Sequence, residues 1–362
     1  MPLRVPYRWR NEDSGPGRPS GWTGASDIFA RVSASRRLSE PKPSDQRGTT
    51  PAPRPLLSTG AVLALCAVLA ASTGLLHYQL IDLPNYRQQV NWHFDIVTGK
   101  GPYPDQYRLL SYFVAYGLMI LGVPFAVAHV LVRFAFTATS LFVFHRYLSG
   151  WVRPPWALLG LFMLAAVLPL SFLFYFMQPT DPLNMLVFFG AFWALQRERD
   201  GWLIPLVVVG TLNRETALLL PLLHALVRWG RAPLARWLPL CLISAGIGAG
   251  IYVTLRMLVG LKAPYAPTSF VQYWAMNSGD PLALIQLLGF FNLGLWLAWR
   301  DWRSQPEFLR RAAWIVPVFF AIHFSVGKIR EIRLFLPLLA VVIPLTLIAL
   351  ARRAELRQGD RS

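Results

Sequence analysis

Eleven apolar runs separated by short, arginine-bearing connections fill the chain after residue 56, at about 57–80, 109–122, 124–147, 156–176, 182–196, 202–212, 216–228, 235–258, 281–298, 313–326 and 334–351. A hydrocarbon core of about 30 Å needs about 20 helical residues to cross it, and each crossing segment must satisfy its own backbone polar groups. The predicted fold class is therefore all-α, a polytopic α-helical membrane protein. Composition agrees, with 54% of the 362 residues apolar and only 15% charged, which argues against two or three soluble domains. A net charge of +17 would suit a nucleic-acid binder if the arginines shared one folded face. They fall between the runs instead, so the lipid bilayer is the expected partner and nucleic acid is not. Cys66 and Cys241 each sit inside an apolar run, which leaves neither a disulfide framework nor a cysteine metal site.

Residues 1–56 are rich in Pro, Ser, Gly and Arg, carry ten basic and five acidic side chains, and lack an apolar period. A disordered cytoplasmic tail is expected there, followed by a transmembrane domain over 57–351 and a short basic cytoplasmic tail over 352–362. The first apolar run starts too late for a signal peptide and is long enough to anchor. Beyond residue 123, one alternate set of connections holds fifteen Lys and Arg and the other holds six. The richer set belongs inside. With a basic amino-terminal tail also inside, this parity requires that 109–122 does not cross and that 202–212 and 216–228 form a hairpin of two spans. About ten transmembrane helices follow, plus a juxtamembrane helix at 109–122, with both termini cytoplasmic and a bacterial inner membrane as the expected location.

Seven of the thirteen acidic residues after the tail then fall on the outer side: Asp82, Asp95, Asp105, Asp181, Glu215, Asp280 and Glu331. Four groups stand out. The segment Ile81 to Arg108 holds three of those carboxylates among Tyr86, Trp92, Tyr103, Tyr107 and Arg108, although an interfacial loop would also favour such residues. Asp181-Pro182 opens a span, where helix capping is the plainer explanation. Arg214 and Glu215 lie at the tip of the short hairpin, below the expected headgroup level, where a charged pair is costly and either closes on itself or faces a wet cavity. Lys328, Arg330, Glu331 and Arg333 enter the last span with an excess of two positive charges. That excess suits headgroup anchoring or an anionic partner such as a phosphate, which arginine grips bidentately. Together these are the parts that transfer from a membrane-embedded phosphate ester needs: a carboxylate to take a hydroxyl proton and cations to neutralise the departing phosphate.

On these residues the chain resembles the GT-C superfamily of polytopic glycosyltransferases over about 57–230. Asp82 with Tyr86 four residues on is similar to the family's catalytic Asp and aromatic. Gly99-Lys100-Gly101-Pro102-Tyr103 and Tyr107-Arg108-Leu109-Leu110 resemble its Gly/Pro stretch and juxtamembrane helix. Asp181-Pro182 matches its Asp-Pro, and Arg214 its hairpin-tip cation. The resemblance implies a sugar moved from a polyprenyl-phosphate donor to an acceptor hydroxyl at the outer face. Asp82 is then the first candidate base. Leu83 stands where relatives often carry a second acid, which keeps Asp95 and Asp105 as further candidates. Tyr86, Tyr107, Arg108, Asp181, Arg214, Glu215, Lys328, Arg330, Glu331 and Arg333 are the implied substrate contacts. No metal is expected, because the first-loop acids are not paired at a ligand spacing, and no cofactor beyond the lipid-linked sugar donor. The large outer soluble domain of some relatives has no counterpart here, so a protein acceptor recognised through one is not expected. A non-catalytic transporter or flippase of an anionic lipid-linked substrate would use the same cations without a base, and a structural envelope-assembly protein would need neither.

Overall fold

Ser58 begins the first helix by accepting a hydrogen bond from the Ala61 amide at 3.2 Å, and no charge interrupts the run that follows. This is α1, Thr59–His77, continued by one π turn, Tyr78–Asp82. The computed structural model describes residues 56–172, 179–261 and 269–359. The tail expected over 1–56 lies outside them except for Leu56. Within the described residues the chain is 83% helix with no strand, which meets the all-α expectation.

The helices after α1 are α2 Tyr86–Val97, α3 Leu110–Ile120, α4 Phe125–Leu148, α5 Pro154–Val167, α6 Thr180–Gln196 and α7 Leu203–Asn213. They continue as α8 Leu220–Arg228, α9 Leu234–Val259, α10 Phe270–Ser278, α11 Pro281–Arg300, α12 Glu307–Ala312, α13 Ile315–Val326 and α14 Leu339–Gly359. Several starts are legible locally. Pro154 and Pro155 occupy the first turn of α5, where a missing N–H costs nothing. Asp280 caps α11 through the Ala283 amide, and Ser269 with Gln272 forms a capping box on α10.

Six helical stretches are both long and apolar enough to cross a membrane: Thr59–Asp82, Phe125–Leu148, Pro154–Phe172, Leu234–Val259, Glu307–Val326 and Ile332–Arg357. α3 has eleven residues, about 16 Å at 1.5 Å per residue, well short of the hydrocarbon thickness. Burial sorts the elements. The apolar stretch of Ile332–Arg357 is 83% buried, while those of Thr59–Asp82 and Leu234–Val259 are 17% buried. Helices apolar all round and fully enclosed form a centre, and those with open apolar faces suit contact with lipid. α6 belongs to the centre too, with thirteen of its seventeen residues buried. It packs on α4, α7 and the turn leading into α14.

Two expectations change in the connections. The segment 81–108, expected as a loop, contains α2, which buries His93 and Ile96 on one face. The connection 259–280 contains α10. At the other end, α14 runs through Arg352 and Arg353, so the expected tail begins as helix.

Small residues let helices approach closely. A Cβ at Gly210 would stand 2.5 Å from the Ala217 Cβ and 2.9 Å from Val187 Cγ1, so α7 meets α6 and the turn Glu215–Leu219 only because that atom is missing. Gly210→Val is expected to destabilise by about 1–3 kcal/mol through overpacking. Gly74→Ala, which meets nothing within 4 Å, should be neutral or stabilise α1 slightly. Thermal unfolding of both variants in detergent checks this contrast.

Candidate functional site

Where α6 begins and α7 and α13 end, a cavity of about 560 Å³ opens. Its position follows from a staple at the end of α7. Asn213 Oδ1 accepts from the Ser111 hydroxyl at 2.6 Å and its Nδ2 donates to the Thr180 carbonyl at 2.8 Å. The Leu109 amide donates to the Leu212 carbonyl at 3.0 Å, and Thr216 donates to Asn184 Oδ1 at 3.1 Å. Thus α3, α6 and α7 are held at one point by buried polar groups, each of which is costly to leave unpaired.

From that point the backbone turns extended at Arg214 and sends its side chain inward, 1% exposed. Nη1 of Arg214 donates to Asp181 Oδ1, and Arg333 Nη1 donates to Asp181 Oδ2 at 3.3 Å. Asp181 is itself 1% exposed. Pro179 occupies the N-cap of α6, so Asp181 stands in its first turn, and its carboxylate pairs with two guanidiniums. Glu331 accepts from Arg333 Nη2 at 2.5 Å.

A second knot lies beside the first. Arg108 donates to Asp105 Oδ1 at 2.7 Å, and its Nε and Nη2 donate to the two oxygens of Glu215. An internal Arg214–Glu215 pair at the hairpin tip is therefore not what forms; each takes a partner from elsewhere in the chain. Burial pushes the Glu215 carboxyl up, but the charge and hydrogen bonds of Arg108 outweigh it and bring it to about 2. Arg108, conversely, is held above the ordinary guanidinium range, since Glu215 and Asp105 outweigh the cost of its burial.

Asp105, Arg108, Arg214, Glu215, Lys328, Glu331 and Arg333 all line the cavity, with Trp92, Tyr103, Tyr252 and Tyr273 among its aromatic walls. Asp181 stands behind it through its two arginines. Tyr107 lies to one side, its hydroxyl donating to the Gly260 carbonyl at 2.8 Å and its ring 4.3 Å from the Arg256 guanidinium. Two of the cations of 328–333 also meet carboxylates from outside the segment: Arg333 pairs with Asp181 as well as Glu331, and half-exposed Arg330 lies 3.9 Å from Asp280, away from the cavity lining.

The remaining first-loop candidates are elsewhere. Asp82 accepts from Arg133 and lies 3.2 Å from His77 Nδ1, in a buried cluster between α1 and α4. Tyr86 packs edge-on against Phe125, and Asp95 is exposed on α2. Neither lines the cavity. Sequence reasoning also passed over His323, which lines the cavity from α13. Its only signal was a histidine one turn from the end of an otherwise apolar span.

One detail gives the cavity a chemistry. Among the described residues, Arg214 Nε and Nη2 have no hydrogen-bond partner, and neither does Arg333 Nε. Buried donors are almost always satisfied, and the Nε/Nη2 edge of a guanidinium is a fork matched to two oxygens of a phosphate or carboxylate. No protein-family model, curated protein or solved structure matches the chain.

Removing Asp181 leaves two buried cations facing each other. Asp181→Asn should lower stability by about 3–5 kcal/mol, read as detergent unfolding. Glu215 behaves differently with pH. Its folded-state pKa lies below the ordinary value of 4.5, so its contribution is present above pH 4.5 and is lost as pH falls toward about 2. A Glu215→Gln variant and the parent should therefore show a constant difference in unfolding temperature between pH 6 and 8, and a narrowing one below pH 4.5.

Proposed function

We propose that the chain is a membrane glycosyltransferase that moves a sugar from a polyprenyl-phosphate donor to an acceptor hydroxyl. The observation that carries this reading is the buried, unpartnered Nε/Nη2 edge of Arg214, a residue that lines a large cavity together with Lys328 and Arg333. A lipid-linked phosphate presents paired oxygens of the right geometry to that edge. Asp181 fixes the opposite edge, so the fork is already oriented before a ligand arrives, and orientation set in advance lowers the cost of binding. Charge that grows on the phosphate as the glycosyl bond breaks would be met by donors that need no reorganisation. The aromatic walls, Trp92, Tyr103, Tyr252 and Tyr273, supply flat faces of the kind a sugar ring packs against.

Of the three first-loop carboxylates that could act as the base, Asp105 is the one that lines the cavity, and in this reading Asp82 serves the α1–α4 packing instead. The finer topology belongs to the same proposal: ten crossings with α3 lying along the membrane, both termini in the cytoplasm of a bacterial cell, and the cavity opening outward.

Arg214→Ala should weaken binding of undecaprenyl phosphate in nanodiscs about 10- to 100-fold, the loss that follows removal of a charge-assisted hydrogen-bonding fork. Arg214→Lys should recover only part, because an ammonium is a point charge. Equal binding by all three proteins would reject the phosphate role. Orientation has its own check: exposed Val271→Cys should react with an impermeant maleimide on whole cells, and exposed Ser304→Cys only after disruption. The reverse pattern places the cavity on the cytoplasmic side.

A further inference from the structure

A glycosyl transfer needs a group that receives the acceptor proton, and the carboxylates on the cavity wall are poorly suited to it. Asp105 accepts from Arg108 at 2.7 Å, both oxygens of Glu215 are gripped by the same guanidinium, and Glu331 accepts from Arg333 at 2.5 Å. Each of these carboxylates is thus already tied to a guanidinium by a charge-assisted hydrogen bond. Asp181, behind the wall, is held by two arginines.

His323 is different. Its Nδ1 lies 2.8 Å from the carbonyl oxygen of Phe319, one turn back on α13. A carbonyl can only accept, so Nδ1 carries the hydrogen and the ring is held in the tautomer whose Nε2 bears a lone pair. The ring stacks on Phe319 at 4.4 Å and 17° and meets Phe335 at 5.5 Å, which limits its rotation. Nε2 is then the polar atom that this cavity-lining residue has left, and no described residue hydrogen-bonds to it.

We propose that Nε2 of His323 is the proton acceptor of this site, taking the hydrogen of the sugar-accepting hydroxyl. The inference rests on the transfer reading above and replaces the expected carboxylate base with an imidazole. In the step, the acceptor O–H bond breaks with its proton passing to Nε2. The acceptor oxygen forms a bond to the anomeric carbon, and the bond from that carbon to the phosphate oxygen breaks with its electron pair staying on the phosphate. The phosphate gains one negative charge on the Arg214 fork as the imidazole gains one positive charge, so the net charge of the cavity is constant. The proton then leaves to water at the cavity mouth. The charged groups facing this ring are Arg108, Arg214 and Glu215, whose fields act on it, with Lys328, Glu331 and Arg333 on the same wall. Arg108, Arg214 and Arg333 each have a carboxylate partner on that wall or behind it.

The test uses the full-length chain in phosphatidylglycerol nanodiscs, offered undecaprenyl-phosphate glucose, mannose and galactose with octyl glycosides as acceptors, and reads release of undecaprenyl phosphate. His323→Gln keeps a polar atom near Nε2 without its basicity. It should lower kcat about 100-fold to 10,000-fold, the usual contribution of a positioned base, while binding of undecaprenyl phosphate stays within about threefold of the parent. The parent rate should fall on acidification as the imidazole takes a proton from water, and this acid limb should be absent in His323→Gln. His323→Gly, which opens space in the cavity, should be partly rescued by added imidazole. Nitrogen NMR of histidine-labelled parent protein provides a readout independent of turnover and of any variant's folding, and should show residue 323 protonated at Nδ1 and titrating at Nε2. Parent-like turnover and an unchanged pH profile in His323→Gln, with Asp105→Asn inactive, overturn the imidazole base and return the role to the carboxylate. An Nε2-protonated tautomer in the parent overturns it as well. A parent protein that binds undecaprenyl phosphate but releases none from any of the three donors overturns the transfer reading itself.

Discussion

Asp181 is the pin on which the polar end of this bundle turns. One buried carboxylate receives a guanidinium from the tip of the α7 hairpin and another from the entry to α14, so three segments far apart in sequence converge on a single charge. A buried ion pair of this kind is weak evidence for stability, because desolvation offsets most of the attraction. Its effect is geometric. With Asp181 on Nη1 of Arg214, the opposite edge of that side chain is left without a partner in a residue that helps to line the cavity.

Two further constraints make that arrangement available. The Asn213 staple sets the depth of the hairpin tip by tying it to α3 and α6, and the missing Cβ at Gly210 lets α7 lie close enough for the tie to form. The Arg108 knot then closes the side of the cavity that faces the first loop, since a single guanidinium holds Asp105 and Glu215 together. Strong charge pairing on most of the wall has a chemical consequence. Groups locked into ion pairs hold one another in place, while His323 keeps a ring nitrogen to which no described residue hydrogen-bonds.

The α1–α4 cluster shows the same physics away from that cavity. Asp82, Arg133 and His77 are buried together, and His129 Nε2 lies 3.1 Å from His93 Nδ1 one helical turn along α4. Ionisable groups at such depth must find one another. Burial pushes the His93 ring down to about 4, so it is neutral at physiological pH and contributes packing and a hydrogen bond. The apolar crevice of about 370 Å³ beside Arg133 lies between α1 and α4, where two largely apolar helices face outward.

The amino-acid sequence by itself determined the helical class and the order of most elements, because period, length and proline or serine at helix starts are local properties. It also marked the charged residues that line the cavity, since charge inside an apolar context is costly wherever it occurs and therefore visible. Partnership was decided only in three dimensions. Arg214 and Glu215 are neighbours in the chain but ion-pair with Asp181 and Arg108, because an extended residue between a helix and a turn sends successive side chains in different directions. Asp82 had the familiar spacing to Tyr86, yet the π turn that ends the first helical stretch directs it toward Arg133, while Asp105, with no spacing to recommend it, reaches the cavity. His323 could not be recognised locally: what singles it out is a bond to a carbonyl one turn back and the pairing of every acid around it, and both depend on how distant segments pack.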